Sequence, residues 1–135
     1  MYIIKIEYAT PAFDELSRLR YEEIMEPSGN DWDEELLSEE ENKTHFAIYD
    51  LDFKLLGGLK LKMSDNLEKK AELEELVIVK NLRNQGLGTM LLNKASETLR
   101  QAGIENLYCA ENEKYASFLS KVGFEKTADA LFKKL

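Results

Sequence analysis

The sequence contains little of the material from which disulfide bonds and metal sites are made. Among its 135 residues there is one cysteine, Cys109, and one histidine, His45. A single cysteine excludes an intramolecular disulfide, and a single histidine excludes a metal cluster of the usual kind. We therefore predict no metal, a Cys109 side chain that is a small buried hydrophobe, and a His45 side chain at the surface or at a sheet edge.

Long apolar runs and an excess of positive charge are also missing. No segment approaches the roughly 18 apolar residues of a membrane span, and the opening segment carries Lys5 and Glu7, unlike the apolar core of a signal peptide. The 18 Lys and Arg residues stand against 26 Asp and Glu residues, which gives a formal charge of −8. Nucleic acids attract basic surfaces, whereas this chain carries a net negative charge. The prediction is a reduced, cytoplasmic protein with neither a nucleic-acid nor a membrane partner.

What is present is the composition of a folded globular protein. Hydrophobic residues make up 44% of the chain and charged residues 33%, which are ordinary proportions for such a protein. No linker rich in glycine, serine or proline divides the sequence, and no repeat period is visible. We predict a single domain over residues 1–135.

The hydrophobic periodicity predicts alternating strands and helices. A strand–helix–strand unit over 71–110 requires a parallel strand pair, whereas a hairpin around Asp50–Lys54 requires an antiparallel one, so the fold class is α/β with a mixed sheet. The predicted elements are a strand over Ile3–Tyr8, a helix over 11–26 that begins at Thr10-Pro11, strands over His45–Tyr49, Leu55–Lys62 and Ala71–Val79, a helix over 88–102, a strand over Ile104–Ala110, a helix over Lys114–Val122, and a strand or strand pair over Ala128–Leu135.

The acidic segment Asp31 to Glu41 follows the first predicted helix. It is predicted to form one more helix around Trp32, Leu36 and Leu37. Its charge run is most simply a solvated face, and the alternative is one wall of a pocket for a cation.

The clearest chemical signal lies between the strand at 71–79 and the helix at 88–102. There, Arg83-Asn84-Gln85-Gly86-Leu87-Gly88-Thr89 places two glycines at the turn into the helix. The first N–H groups of a helix are unpaired and lie at the positive end of its dipole, so this turn can bind a pyrophosphate. The alternative is a mere tight turn. Neither Gly-x-Gly-x-x-Gly nor Gly-Lys-Ser/Thr is present, so a Rossmann site and a P-loop are not indicated.

Two segments resemble the motifs of one superfamily, the GCN5-related N-acetyltransferases (GNAT). Leu73–Gly88 resembles its motif A, with the signature Gln/Arg-x-x-Gly-x-Gly/Ala, and Asn112–Phe124 resembles its motif B, Asn-x-x-Ala-x-x-Phe-Tyr-x-x-x-Gly-Phe. Gly57-Gly58 stands where the family has its second and third strands. The resemblance thus covers nearly the whole chain.

The resemblance implies the acyl-CoA N-acyltransferase fold, a mixed, mostly antiparallel sheet flanked by helices. In that fold acetyl-CoA lies where two parallel central strands, here 71–79 and 104–110, splay apart. Asn112 is implied to touch the cofactor, and it can also be a helix N-cap. The other implied cofactor contacts are the backbone of Leu76, Val77 and Ile78 for the pantetheine arm, Arg83 at the start of the loop, and the main chain of Asn84, Gln85, Gly86, Leu87, Gly88 and Thr89 for the pyrophosphate.

The family often carries a catalytic glutamate or histidine nine and eleven residues ahead of the motif-A Gln/Arg, which gives Glu74 and Glu72 here. An amine of pKa ~10.4 is almost wholly protonated at pH 7, so its attack on a thioester needs a base. Glu74 is the predicted base, with Glu72 assisting or substituting; the alternative is that both are solvent-side strand residues. A period of two puts both on the face of Leu76 and Ile78, with Glu75 on the other face.

The motif-B tyrosine, the family's usual general acid for the departing thiolate, is replaced by Leu119. Tyr115, one helical turn earlier, or Tyr108 can substitute, and the alternative for each is a packed aromatic. A thiol of pKa ~8.5 needs little help near neutral pH. We predict that no single tyrosine is essential.

The implied function is direct transfer of an acetyl group from acetyl-CoA to a primary amine of a small molecule, peptide or protein. The acidic residues Asp31, Asp33, Glu34 and Glu35 favour a cationic acceptor. One alternative is a catalytically weak acyl-CoA sensor or interaction module of the same fold, and another is a structural α/β subunit whose glycines form only a turn. The prediction leaves room for a homodimer.

Overall fold

The computed structural model describes residues 1–29, 39–64, 68–110, 113–127 and 130–135. The elements are β1 (Tyr2–Ile6), α1 (Pro11–Arg20) with a π-helical continuation (Tyr21–Met25), a 3-10 turn (Glu40–Asn42), β2 (Thr44–Tyr49), β3 (Leu55–Met63), β4 (Lys70–Ile78), a second 3-10 turn (Lys80–Leu82), α2 (Leu87–Gln101), β5 (Asn106–Ala110), α3 (Glu113–Lys121), β6 (Glu125–Lys126) and β7 (Ala130–Lys134). The predicted site residue Asn112 lies outside the described ranges. So do most residues of the acidic segment, namely the acidic Asp31, Asp33, Glu34 and Glu35 and the apolar Trp32, Leu36 and Leu37.

Seven strands form one sheet in the order β1-β2-β3-β4-β5-β7-β6. All neighbouring strands are antiparallel except β4 and β5, which are parallel. The predicted α/β fold with a mixed, mostly antiparallel sheet is confirmed. In the described part of the chain, no helix combines the length and the apolar character needed to cross a membrane.

The helices divide between the two faces of the sheet. Helix α1 starts where the Thr10 hydroxyl accepts the N–H of Phe13 at 3.2 Å, with Pro11 at the first helical position. Its buried residues Phe13 and Leu16 pack on one face of the sheet. On the other face α2 and α3 share one core, to which α2 contributes Leu87, Leu91, Leu92, Ala95 and Leu99, and α3 contributes Tyr115 and Leu119.

Glycine permits the close approach of α1 to the middle of the sheet. A Cβ atom on Gly58 would lie 2.5 Å from Leu16 Cδ1 and 2.9 Å from the Phe46 carbonyl oxygen. Real Cβ atoms do not come so near, and the backbone oxygen cannot move independently of its strand. Gly58 therefore sets how closely the helix packs on β3.

Strands β4 and β5 pair along only part of their length. Their register runs from Lys70 opposite Asn106 to Glu72 opposite Tyr108, and there the pairing stops. Strand β4 continues to Ile78. The second half of β4 therefore has an edge that β5 does not cover.

A β-bulge interrupts the alternation of β4. The register with β3 places Lys60 opposite Glu75 but Leu61 opposite Leu73, which leaves Glu74 as the extra residue. The prediction that Glu74 shares a face with Leu76 and Ile78, opposite Glu75, is wrong, and the same holds for Glu72. A bulge shifts the phase of the alternation by one residue. Leu73 and Leu76 point to the α2 side, whereas Glu74 and Glu75 both lie near Lys60 on the α1 side.

Candidate functional site

A pocket of about 670 Å³ opens where β4 and β5 separate. Its walls are the end of β4, the turn into α2, and α3. The residues lining it are Leu76, Val77, Ile78, Leu82, Arg83, Asn84, Gly86, Leu87, Gly88, Thr89, Tyr115, Ser117, Phe118 and Lys121. A second pocket, of about 440 Å³, lies against α1 between Tyr8, Phe13 and Tyr21 and contains none of the predicted site residues.

The strand edge in the larger pocket presents a main-chain donor. The N–H of Leu76 donates to the hydroxyl oxygen of Tyr115 at 3.4 Å, a position that a neighbouring strand would otherwise occupy. Burial raises the pKa of Tyr115, and the nearby negative charge of Glu75 acts in the same direction. The hydroxyl therefore stays protonated at neutral pH.

The turn into α2 leaves helix donors facing the pocket. Asn84 has φ +65° and Gly86 has φ +83°, both in the left-handed region. Gly86 is the N-cap of α2 and has no side chain with which to cap the first N–H groups. A Cβ atom on Gly88 would lie 3.3 Å from Phe118 Cζ, so the second glycine lets α2 and α3 pack closely.

Arg83 connects the turn to the segment after α1. Its Nε donates to the Ile78 carbonyl oxygen at 3.1 Å, and its Nη2 donates to Glu23 Oε2 at 2.9 Å. Lys121 brings a second cation to the wall formed by α3. Lys121 and the Glu23-paired Arg83 therefore line the same pocket as the uncapped helix N-terminus.

Most of the residues predicted to contact a cofactor come together in this pocket. Gln85 is not among the lining residues, and Asn112 is outside the described ranges. Leu82, Ser117, Phe118 and Lys121 line the pocket but were not predicted. A signal existed for α3, because positions 117, 118 and 121 lie on one helix face at spacings of three and four.

The three glutamates of β4 differ in their partners. Glu74 Oε1 lies 2.9 Å from Lys43 Nζ. Glu75 is 2.7 Å from Arg20 Nε and 2.9 Å from Lys60 Nζ. Burial would raise the pKa of Glu75, but the hydrogen bond and charge of Arg20, together with Lys60, lower it. Glu72 makes no ion pair with any residue that the structure describes.

A buried charged cluster lies behind these glutamates on the α1 side, formed by Arg20, Glu40, His45 and Lys60. Arg20 Nη2 is 2.6 Å and His45 Nε2 is 3.2 Å from the Glu40 carboxylate. The prediction of a surface or edge His45 is wrong, since its side chain is 2% exposed. Glu40 is 4% exposed, so the acidic segment is not solvated throughout. His45 and Glu40 are partners only five residues apart, whereas Arg20 and Lys60 each lie 20 residues from Glu40 in sequence.

Two further predictions can be compared with the structure. Cys109 is buried as predicted, and burial raises its thiol pKa, with a contribution from the charge of Glu72. Leu119 is fully buried in the core shared by α2 and α3 and does not line the pocket. The tyrosine that reaches the pocket from α3 is Tyr115.

A family model described as the acetyltransferase (GNAT) family matches residues 9–124. The chain therefore belongs to the GNAT family of acetyltransferases, which confirms the resemblance read from its two motifs. No curated protein matches the sequence significantly.

Solved acetyltransferase structures share the fold at low sequence identity. GCN5 of Tetrahymena superposes with a TM-score of 0.80 at 15% identity, covering 99% of this chain and 96% of that one. An aminoglycoside 6'-N-acetyltransferase complexed with coenzyme A gives 0.80 at 17% identity, covering 99% and 97%. PaiA N-acetyltransferase of Thermoplasma acidophilum, also in complex with coenzyme A, gives 0.73 at 19% identity, covering 100% of both chains. At these identities the likeness establishes the fold.

Proposed function

We propose that the protein is an N-acetyltransferase that moves the acetyl group of acetyl-CoA to a primary amine, with residues 1–135 as a single catalytic domain. The observation that carries the proposal is the pocket at the separation of β4 and β5, where a strand edge and a helix N-terminus converge. Membership of the GNAT family and the coenzyme A bound to two structural relatives support it.

The pocket offers groups that suit two parts of coenzyme A, the pyrophosphate and the pantetheine arm. The uncapped N–H groups at the start of α2 suit a pyrophosphate, and Arg83 and Lys121 add positive charge nearby. The amide-bearing pantetheine arm can take the place of a neighbouring strand along the edge of β4. The proposed contacts are Leu76, Val77, Ile78, Arg83, Asn84, Gln85, Gly86, Leu87, Gly88 and Thr89, together with Asn112 on sequence grounds.

The acceptor is proposed to approach from the α1 face. The β4 glutamates lie on that face. The pocket for coenzyme A lies on the opposite face, against α2 and α3. The gap between β4 and β5 would let the acceptor nitrogen on one face reach the thioester on the other. Attack by the neutral nitrogen forms the N–C bond and breaks the C–S bond. Before the attack the ammonium proton goes to Glu74, directly or through water, with Glu72 assisting or substituting. After the attack the acylated nitrogen releases its second proton to solvent, and the departing thiolate takes up a proton from solvent. Lys43 fixes the orientation of Glu74.

The proposal is tested by binding and turnover together. At a concentration about 100 times its Kd, acetyl-CoA should stabilise the protein by about 2.7 kcal/mol, and a thiol assay should detect release of coenzyme A when a panel of primary amines is added. Binding without release would favour an acyl-CoA sensor. Neither binding nor release would contradict the proposal and favour a structural subunit.

The base is tested by replacing the Glu74 carboxylate with an amide. We expect Glu74→Gln to lower kcat/KM at least tenfold, because the amine then has no carboxylate at this position to take its proton. Steady-state kinetics should be compared with Glu97→Gln, which makes the same charge change on the exposed surface of α2. Unchanged kinetics in Glu74→Gln, Glu72→Gln and the double variant would refute the assignment.

A further inference from the structure

The larger pocket follows β4 from the turn into α2 to the contact between Leu76 and Tyr115. Of the β4 residues, Leu76, Val77 and Ile78 line the pocket, and no described residue of β5 does. Leu76 is the one of these three that lies nearest to Glu72, where the pairing of β4 with β5 stops. We call the part of the pocket at Leu76 and Tyr115 its inner end.

The positions of the main-chain donors give a bound coenzyme its direction. The N–H groups at the start of α2, which suit the pyrophosphate, follow the turn at Gly86. An arm that leaves this turn and runs along the edge of β4 passes Ile78 and Val77 before it reaches Leu76. The thioester, which is at the far end of the arm, therefore lies at the inner end of the pocket.

The ring of Tyr115 forms the wall of the inner end. The side chain is 9% exposed and belongs to the core shared by α2 and α3. Its hydroxyl lies 3.4 Å from the Leu76 nitrogen, which is long beside the usual N–H···O distance of roughly 2.9–3.0 Å. An acyl oxygen can therefore replace the hydroxyl at this donor with little loss. The ring is fixed by its packing and remains beside the acyl group.

This wall distinguishes the chain from the motif that it otherwise resembles. Motif B has alanine at the position of Tyr115 and tyrosine at the position of Leu119. Tyr115 lines the pocket, whereas Leu119 is fully buried and does not. An alanine at position 115 would leave the volume of the phenol ring open at the inner end. The chain therefore has less room around the acyl group than the motif provides.

We propose that Tyr115 determines the acyl group that the protein transfers, restricting it to acetyl and excluding longer unbranched groups such as butyryl. An acetyl group ends one carbon beyond the thioester carbonyl. A butyryl group extends two carbons further and has to enter the volume that the ring occupies, and extra methylene groups in a packed site force side chains out of their preferred rotamers. The inference rests on the proposed acetyltransferase function and adds the donor specificity to it.

The test compares acetyl-CoA with butyryl-CoA, both as donors in kcat/KM and as ligands in calorimetric Kd values. We expect the wild type to prefer acetyl-CoA at least tenfold in both. The preference should fall about tenfold in Tyr115→Ala and in Tyr115→Leu, because the additional methylene groups then fit. Leucine is included because it keeps an apolar side chain in the core, and thermal unfolding shows which variants are folded.

Two control variants separate the size of the ring from other effects. Tyr115→Phe removes the hydroxyl, keeps the ring and should keep the preference for acetyl-CoA. Phe124→Leu removes a buried ring from the same core without lining the pocket, and it should keep the preference as well. A preference lost in Tyr115→Phe would assign the selection to the hydroxyl and contradict the inference.

Two further results would overturn the inference: equal use of both thioesters by the wild type, and an unchanged preference in a folded Tyr115→Ala or Tyr115→Leu protein. The proposed function fails in a different way. If the wild type binds neither thioester, that function is wrong and the inference falls with it. If it binds both but transfers neither acyl group, the transfer is refuted, and the Kd ratios of wild type and Tyr115→Leu still decide whether Tyr115 selects the acyl group.

Discussion

At the scale of single residues, motif B places a tyrosine at position 119, where this chain has a leucine. The tyrosine that α3 presents to the pocket is Tyr115. The two residues are one turn apart on α3 and share a helix face. Leu119 is fully buried in the core, whereas the Tyr115 hydroxyl reaches the edge of β4 at Leu76. The hydroxyl that α3 presents to the pocket therefore lies one helical turn before the position of the motif-B tyrosine.

Replacing Tyr115 by phenylalanine removes this hydroxyl and leaves the ring in place. We expect kcat of Tyr115→Phe to fall by less than a hundredfold, because a thiolate leaving group of pKa ~8.5 can take its proton from solvent. The measurement is kcat at saturating acetyl-CoA and amine, with Tyr108→Phe as the comparison. A loss of a hundredfold or more would show that a single tyrosine is essential and overturn the prediction.

At the scale of elements, the sequence predicted where strands and helices lie better than how they face each other. The predicted strand Ala71–Val79 differs from β4 by one residue at each end, because apolar runs and turn residues are local signals. The bulge at Glu74 is decided by pairing with β3, which no local pattern encodes. The side of the sheet that Glu74 faces was therefore mispredicted.

The packing of α1 on β3 depends on Gly58. We expect Gly58→Ala to lower the free energy of unfolding by about 1–3 kcal/mol, because the added Cβ meets Leu16 and the Phe46 carbonyl oxygen. Urea denaturation measures the change. In a Leu16→Ala background the same substitution should cost less, since the clash with the helix is removed. Strictly additive losses would contradict this account of the contact.

At the scale of the whole molecule, the buried charged cluster joins parts of the chain that are far apart in sequence. Arg20 comes from the end of α1, Glu40 from the 3-10 turn, His45 from β2 and Lys60 from β3. The composition showed an acidic chain but not which carboxylates would be buried. The burial of Glu40 depends on Arg20 and Lys60, cations that only the complete fold brings to it, so the charge run that contains Glu40 was predicted to be a solvated face.

Because of this cluster, the free energy of unfolding changes with pH in the acid range. Burial would raise the pKa of Glu40, but hydrogen bonds from His45 and Arg20 and the charges of Arg20 and Lys60 lower it from 4.5 to about 2. A carboxyl with a lower pKa in the folded state takes up its proton more readily when unfolded. Its contribution is therefore complete above pH 4.5 and is lost as the pH falls from 4.5 to about 2.

We expect Glu40→Gln to lower the free energy of unfolding at neutral pH by about 2 kcal/mol, since a charged hydrogen bond acceptor is lost. Below pH 4.5 its stability should fall less steeply than that of the wild type, because the titrating group is gone. Urea denaturation across this range measures both slopes, with Glu97→Gln as the exposed control. Parallel curves for Glu40→Gln and wild type would mean that Glu40 is not the carboxyl whose protonation loosens the fold.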